Sequence, residues 1–280
     1  MISKMKKLII LLVILPCIVA GQKNGMKKLL LNQANFTLTL IDSSAVVNNP
    51  GYIWFKSDGT IAYITDGSNV TYQYSLSTAW DISTATYASK SHTYPSANYT
   101  GLCLSDDGTK VYRFNDGSNL FQQFNLSTAW DISTAATTAN ESSSATPFNT
   151  TSFMVIPGGS YLITMYFSAW NLYKYPLSTP YSVSTLGTET QTWAGTTNDY
   201  YIAFNSIGNK LFINRFTTNT IYAYDLNTYY DLSSITLIGN ASVLRGGGGQ
   251  NNSIYIGDNN NSLYISDITK DKIYQYTISF

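Results

Sequence analysis

The sequence is poor in charge. Charged residues make up 11% of its 280 residues, against about 25% in ordinary soluble domains. Arginine occurs only at Arg113, Arg215 and Arg245, and the basic residues form no stripe. Binding to nucleic acid depends on several clustered contacts to phosphates, so we expect no nucleic-acid partner.

Histidine and cysteine are nearly absent as well. The single histidine is His92, and the cysteines are Cys17 and Cys103. These residues are too few for a zinc site of the usual His/Cys kind, and one cysteine in the folded part excludes an internal disulfide. We interpret Cys103 as a small buried apolar residue and His92 as a solvated or hydrogen-bonded surface residue. We predict no metal and no other cofactor.

Hydroxyl and amide groups take the place of charge. Tyrosine alone accounts for 23 residues, and hydrophobic residues make up 44% of the chain, which is enough for a large core. Serine, threonine and asparagine are left to keep the surface hydrated. This balance is common in secreted proteins, bacterial surface proteins and virion fibres.

The first 21 residues have the pattern of a secretory signal. Lys4, Lys6 and Lys7 precede an apolar run of about 12 residues that ends at small residues. Such a run is too short for a membrane span of about 20 residues. We predict a signal peptide at 1–21, a linker at 22–34 and a folded domain at 35–280, with no membrane span once the leader is removed.

Positive charge behind the apolar run argues against simple export. Lys23, Lys27 and Lys28 follow it closely, and cations in that position oppose translocation. Met26 is also a second possible start. Translation from Met26 would leave the protein in the cytoplasm, whereas the full leader predicts a secreted or virion-associated protein.

A repeat of about 50 residues organises the rest of the chain. The segment from Leu76 to Ala85 recurs letter for letter at Leu126 to Ala135, and weaker copies start at Leu177 and Leu226. Each copy follows an alternating aromatic strand. The first aromatic residues of these strands, with a fifth near the C-terminus, are Tyr72, Phe121, Tyr173, Tyr222 and Tyr274.

Each unit predicts four short strands separated by turns. In the second unit the first three strands are Gly101–Ser105, Lys110–Phe114 and Leu120–Leu126, and a more variable strand follows. Asp107-Gly108 predicts the first turn, because a tight turn often needs a positive φ. Four strands in a unit of this length match the blade of a β-propeller.

The two ends of the chain complement each other. The last unit stops at Phe280, after its third strand, and an extra strand, Phe36–Ile41, precedes the first unit. Pairing this strand with the last unit removes two open sheet edges. We therefore predict an all-β fold, a five-bladed β-propeller of four-stranded blades in which the N-terminal strand completes the last blade.

The repeat also resembles a known group of proteins. The Asp-Gly-Thr turn, the Tyr72-Gln73-Tyr74 strand and Leu-Ser-Thr-Ala-Trp-Asp-Ile-Ser-Thr at 76–84 are similar to tandem β-propeller repeats of phage tail and virion proteins and of bacterial surface proteins. The likeness covers nearly all of residues 36–280. It implies a propeller on a virion or cell surface and leaves the molecular function open.

Acidic residues are missing where a propeller hydrolase would need them. Glycosidases use two carboxylates that flank the scissile bond, and the inner strands of a propeller line its central channel. No inner strand carries an acid, and only Asp199 directly precedes one. The predicted inner strands are Ile53–Phe55, Leu102–Leu104, Phe153–Val155, Ile202–Phe204 and Ile254–Ile256. We predict no catalytic residues and no enzyme.

Three further patterns are interpreted as loops and turns. Gly246–Gly249 lacks the Lys-Ser/Thr ending of a phosphate-binding loop. Asp106-Asp107 and Asp258 lack the ligand spacing of a calcium loop. We expect the glycines to form a connection between blades and the aspartates to stabilise turns.

One polar column recurs in all five units. An amide residue stands six positions before the last apolar residue of each inner strand, at Asn49, Asn98, Asn149, Asn198 and Gln250. Equivalent blades would place these amides in a ring at one mouth of the channel, where they could bind a ligand. The alternative is that each amide satisfies backbone groups in its own turn.

An aromatic column, consisting of Trp80, Trp130, Tyr181 and Tyr230, recurs in four units. We interpret it as packing between neighbouring blades. Exposed, the same rings would suit stacking on a sugar or contact with a protein.

The favoured function is a non-enzymatic binding or adhesive module, extracellular or virion-associated. Its expected partner is a protein or glycan on a cell or virion surface. The alternative is a lectin-like propeller with one glycan site per blade. A propeller glycosidase or lactonase is less favoured, because the acids it needs are not found in the inner strands.

Overall fold

The structure is a computed structural model. It describes residues 36–67, 69–96, 98–144, 149–196, 199–215, 217–243, 251–257 and 261–280, with backbone alone at 199, 200, 251 and 252. The predicted leader at 1–21 and linker at 22–34 lie outside these ranges and stay predictions.

The described chain forms five four-stranded antiparallel sheets, and the first four consist of consecutive strands. The first two sheets contain β2 (Ile53–Phe55), β3 (Ile61–Thr65), β4 (Val70–Leu76) and β5 (Ala85–Thr93), then β6 (Tyr99–Leu104), β7 (Lys110–Asn115), β8 (Leu120–Asn125) and β9 (Glu141–Ser143). The next two contain β10 (Thr150–Val155), β11 (Tyr161–Tyr166), β12 (Asn171–Pro176) and β13 (Gln191–Ala194), then β14 (Asp199–Phe204), β15 (Lys210–Arg215), β16 (Thr220–Leu226) and β17 (Ile235–Ser242).

The fifth sheet joins the two ends of the chain. It contains β18 (Asn251–Gly257), β19 (Ser262–Asp267) and β20 (Lys272–Ser279), and its outer strand is β1 (Thr37–Ala45). β1 runs antiparallel to β20, with Leu38 opposite Ile278 and Ser44 opposite Ile273. The predicted closure is thus confirmed, and the chain is a five-bladed β-propeller.

The first strand of each blade lies at the centre of the ring. β2, β6, β10, β14 and β18 contact one another in that cyclic order, and their buried residues are mainly apolar. Both faces of every blade press against a neighbouring blade, so these strands are apolar on both faces rather than on one. Consecutive blades are therefore held together mainly by burial of apolar surface.

The four loops that begin at Leu76, Leu126, Leu177 and Leu226 all lie on one end of the ring, which we call the loop face. The turns between first and second strands lie at the same end, as the bond from the Trp80 amide to the Gly59 carbonyl shows, at 3.0 Å. Each loop contains a single 3-10 turn, such as Ile82–Thr84, capped by Asp81. The opposite end, which carries the turns between second and third strands, is the far face.

Each loop covers the seam between its own blade and the preceding one. The Gln73 side-chain carbonyl accepts the amide of Ile132 at 3.0 Å, and the Tyr63 hydroxyl donates to the Trp130 carbonyl at 2.7 Å. Gln275 and Tyr264 hold the first loop in the same way. These bonds satisfy loop backbone groups that would otherwise be buried without partners.

The third blade reaches the same result with different residues. Lys174 replaces the glutamine and donates to the Tyr230 carbonyl at 2.8 Å. Gln191, on the outer strand, accepts the Leu232 amide at 3.0 Å. Both backbone groups of the fourth loop therefore have partners, although Ile163 stands where the tyrosine would be.

The seam between the fourth and fifth blades is covered by none of these four loops and is closed differently. There Phe212 and Ala223, both fully buried, occupy the positions that Tyr63 and Gln73 have in the first blade. We call these two sets of equivalent positions the tyrosine and glutamine columns. Phe36 and Phe280 pack on Phe212, with ring centroids 5.9 and 6.2 Å away. Apolar residues from the two chain ends thus take the place of such a loop.

In the described part of the chain, no helix has the length and apolar character needed to cross a membrane.

Candidate functional site

A cavity of about 290 Å³ runs along the axis of the ring and opens on the loop face. Its wall consists of residues from all five inner strands. Most are apolar, and the aromatic rings of Trp54 and Tyr255 meet edge to face inside it, with centroids 5.2 Å apart. Four of the predicted inner strands line it in full, and the second does so except for Cys103.

The mouth of the cavity is rimmed by turn residues and by aromatic rings. Ser57, Asp106, Pro157 and Ser206 each lie just after an inner strand, at the first turn of a blade. The side chains of Trp80, Trp130 and Tyr230, which belong to the loops, pack against these turns and also line the cavity. Most of the rim is therefore supplied by residues outside the inner strands.

Glycines in the first turns allow the aromatic rings to come this close. Gly108 has φ +68°, and a Cβ there would lie 2.2 Å from the Trp130 ring. Trp130 itself has φ +64° and is half-buried. Each ring packs on a glycine of its own blade, and Trp80 also contacts Gly257 of the preceding blade, as Tyr181 contacts Asp106. These contacts across the seams confirm that the column packs between blades.

Asp106 is the charged side chain among the described residues of the cavity wall. Its Oδ2 accepts the Tyr181 hydroxyl at 2.6 Å and the Gly158 amide at 2.8 Å. Burial, followed by the bond to Asp106, raises the pKa of Tyr181, so the tyrosine stays a neutral donor. The carboxylate is fixed at the mouth by partners that carry no charge.

Sequence analysis missed this carboxylate as a cavity residue. The sequence predicts turn roles for Asp106 and Asp107, and Asp107 fits this prediction by accepting the Thr109 amide at 3.0 Å. The available signal was position, because Asp106 follows an inner strand at the same place as Ser57, Pro157, Ser206 and Asp258. Asp258 and the side chain of Asp199 lie outside the described residues.

The predicted amide ring falls on the far face as far as it is described. Asn49, Asn98 and Asn149 are exposed there, and none belongs to the cavity wall. The Asn98 and Asn149 carbonyls accept the amides of Asp116 and Phe167 at 2.8 and 2.9 Å, which ties each segment to its second turn. Asn198 and Gln250 lie outside the described residues, and a ligand-binding role for the five stays a prediction.

The interpretation of His92 as a surface residue is wrong. Its side chain is buried between the first two blades, 4.7 Å from the Tyr94 ring centroid. Arg113 from the second blade lies over the same ring at 4.8 Å. Burial, and then the charge of Arg113, lowers the pKa of His92. The burial of His92 and its lowered pKa therefore follow from its neighbours in the folded protein, which its place in the sequence did not indicate.

The remaining predicted features are partly described. Cys103 is fully buried, as expected, and burial raises the pKa of its thiol to about 12. Gly246–Gly249 lies outside the described residues. Within the described ranges, no three His, Cys, Asp or Glu side chains come together as a metal site would require.

No protein-family model matches the chain, and no curated protein sequence does. Its likeness is to solved structures. A glutaminyl cyclase from Myxococcus xanthus matches with a TM-score of 0.61 at 6% identity, over 87% of this chain and 97% of that one. The β-propeller domain of Cps50 (Swd1) from Myceliophteria thermophila matches with a TM-score of 0.50 at 10% identity, over 86% and 99%. At such identities the likeness shows the fold alone, a β-propeller. The resemblance to virion and surface repeats stays a prediction.

Proposed function

We propose that this protein is a non-enzymatic binding module that acts outside the cell or on a virion. Its partner is a protein or glycan on a cell or virion surface, and the contact is made at the cavity mouth on the loop face. The observation that carries the proposal is the cavity itself, a concave apolar space with an aromatic rim. Sites of this kind bury a ligand and orient it with a few polar groups.

The charge at the mouth supports binding rather than hydrolysis. A glycosidase needs one carboxylic acid and a second carboxylate across the scissile bond, and Asp106 is the acid that the described wall contributes. The low overall charge and the N-terminal leader support a place outside the cell.

Blocking the mouth tests the proposal. Ser57 and Ser206 are exposed rim residues on opposite sides of the opening, so Ser57→Trp combined with Ser206→Trp should fill it. Ser118→Trp, at an exposed turn on the far face, is the matched control. The three proteins would be compared on a glycan array and on bacterial envelope preparations, after thermal unfolding has shown equal stability.

We expect the unaltered protein and Ser118→Trp to bind the same target, and the double variant to lose at least about tenfold in affinity, or 1.4 kcal/mol. Binding that survives in the double variant would move the interface away from the mouth. Hydrolysis of a glycoside or lactone, or cyclisation of a glutaminyl substrate, that disappears in the double variant would replace binding by catalysis.

A further inference from the structure

Asp106 is the carboxylate among the described residues of the cavity wall. The ion pairs found in the described ranges are Lys56–Asp58, Lys90–Asp131 and Lys210–Asp225, and Asp106 takes part in none of them. Its two hydrogen bonds come from neutral donors and both use Oδ2. A carboxylate has about four acceptor positions, so Oδ1 is left to accept from a ligand.

A lysine next to the rim is already paired with another carboxylate. Lys56 lies beside Ser57, and its Nζ is 2.6 Å from the Asp58 carboxylate. Burial opposes ionisation of Asp58, but hydrogen bonds from Lys56 and Thr60 outweigh it and lower the pKa of this carboxyl to about 2. The pair is therefore neutral as a whole, and the rim keeps the charge of Asp106.

Trp80 and Trp130 line the cavity mouth and are half-buried. A ring face attracts an ammonium or guanidinium group within about 6 Å of its centroid. Lys56 already makes such a contact, since its Nζ lies 5.7 Å from the centre of the Trp130 ring. Trp80 and Tyr230 complete the rim around the same opening.

Several polar groups deeper in the wall are bonded within the protein. The Ser152 hydroxyl accepts the Ile202 amide at 3.3 Å, and the Ser253 hydroxyl accepts the Ile53 amide at 3.3 Å. Asn205 accepts the amides of its own turn. A neutral sugar needs several free donors and acceptors, whereas a cation needs one carboxylate and ring faces.

From these contacts we infer that the cavity mouth recognises an organic cation, a quaternary ammonium or protonated amine carried by the partner, with Asp106 as counter-charge and Trp80, Trp130 and Tyr230 as the surrounding rings. This inference rests on the proposed function, because it names the chemical group that the proposed binding site takes.

The test compares two small molecules of nearly equal shape. Choline carries the positive charge, and 3,3-dimethyl-1-butanol is its neutral carbon analogue. Each would be titrated into the full propeller by calorimetry, with tryptophan fluorescence as a second readout. We expect choline to bind at least about tenfold more tightly than the alcohol, and higher salt to weaken choline alone.

Variants then assign the binding to the mouth. Asp106→Asn keeps an acceptor for Tyr181 but removes the charge, and should weaken choline at least about tenfold without changing the affinity for the alcohol. Asp116→Asn, an exposed far-face turn residue with the same change in net charge, should leave both affinities unchanged. Ser57→Trp should reduce both.

Equal affinities for choline and its neutral analogue, no choline binding at all, or unchanged choline binding in Asp106→Asn would each overturn the inference. Such a result leaves the proposed function standing if the mouth-blocked double variant still loses its glycan or envelope target. If that variant keeps its target while choline binds as expected, the proposed function fails and the cation site remains.

Discussion

The contact between two neighbouring blades is covered in two ways: by a loop at most seams, and by the chain ends at the seam between the fourth and fifth blades. At a capped seam, polar side chains such as Gln73 and Tyr63 bond to the backbone of the loop above them. At the seam without a loop, Ala223 and Phe212 stand in those columns. A glutamine or tyrosine there would have no loop backbone to bond, and a buried polar group without a partner destabilises a protein. Polar residues in these positions thus accompany a loop that they bond, with Ile163 of the third blade as the exception.

The comparison predicts that the chain ends are indispensable. Deleting residues through Ala45 removes β1, exposes the edge of β20 and uncovers Phe212, since Phe36 goes with it. We expect the shortened protein to aggregate or to lose its cooperative unfolding transition, because an open sheet edge invites pairing with other chains. Size-exclusion chromatography and thermal unfolding would show this. A chain starting at Asn35 is the control, and equal behaviour of the two proteins would contradict the closure.

The second largest effect is expected at the glycines under the loop rings. Gly108→Ala places a methyl group 2.2 Å from Trp130 at φ +68°, and we expect it to cost about 2–5 kcal/mol from backbone strain and overpacking together. Gly158→Ala is the matched control, because φ is +83° but nothing lies within 4 Å of the new Cβ.

That control should cost about 1–2 kcal/mol, the strain of the left-handed conformation alone. Urea unfolding of both variants measures the difference. Equal losses in the two proteins would mean that the Trp130 ring moves aside without cost and does not fix the seam.

Exchanging the tyrosine and phenylalanine of one column tests both kinds of seam at once. Tyr63→Phe leaves the Trp130 carbonyl without its 2.7 Å bond, and Phe212→Tyr places a hydroxyl against Phe36 and Phe280. Each change should cost about 1–2 kcal/mol, because each leaves one buried polar group unsatisfied.

The two substitutions lie in different seams, so their effects on urea unfolding should add in the double variant. A stabilising Phe212→Tyr would show that the closing seam has room and a partner for a hydroxyl. The comparison between the seams would then fail.

The smallest effect concerns pH and the first seam. His92 is held neutral in the folded state, because burial and Arg113 lower its pKa from the ordinary value of 6.5. The unfolded chain therefore binds a proton first, and the free energy of unfolding should fall as the pH drops through about 6.5. It should level off below the folded pKa.

His92→Phe removes the only histidine and should flatten the dependence between pH 7.5 and 5.5 in urea titrations. An unchanged slope in this variant would assign the dependence to other groups.

The architecture could be predicted because it is repeated in the sequence. The spacing from Tyr72 to Tyr274 indicated five blades, and the missing fourth strand before Phe280 indicated the closure. Boundaries shifted by a few residues, as for β1, which runs to Ala45 rather than Ile41. The aromatic column was also assigned to its packing role, since bulky residues recurring at one place in every loop must meet the same surroundings.

The candidate site could be predicted only in part. The apolar inner strands were identified correctly, but the position of Asp106 is taken by Ser57, Pro157, Ser206 and Asp258 in the other units, so no single residue type recurs there to mark it. The amide column was easy to recognise because it recurs in every unit, but its described members lie on the far face. Recurrence along a sequence reports what every blade needs for folding, whereas a site built once on the axis needs a residue that breaks the repeat.

By itself, the sequence determined the strands, the number of blades and the partner of the orphan strand, because alternating apolar residues and turn residues act over short distances and recur. Only the tertiary structure decided that the Asp106 carboxylate stands at the cavity mouth near aromatic rings, and that His92 is buried beside Arg113. Those relations join residues of different blades, and their energies depend on burial and distance, which exist only once the ring has closed.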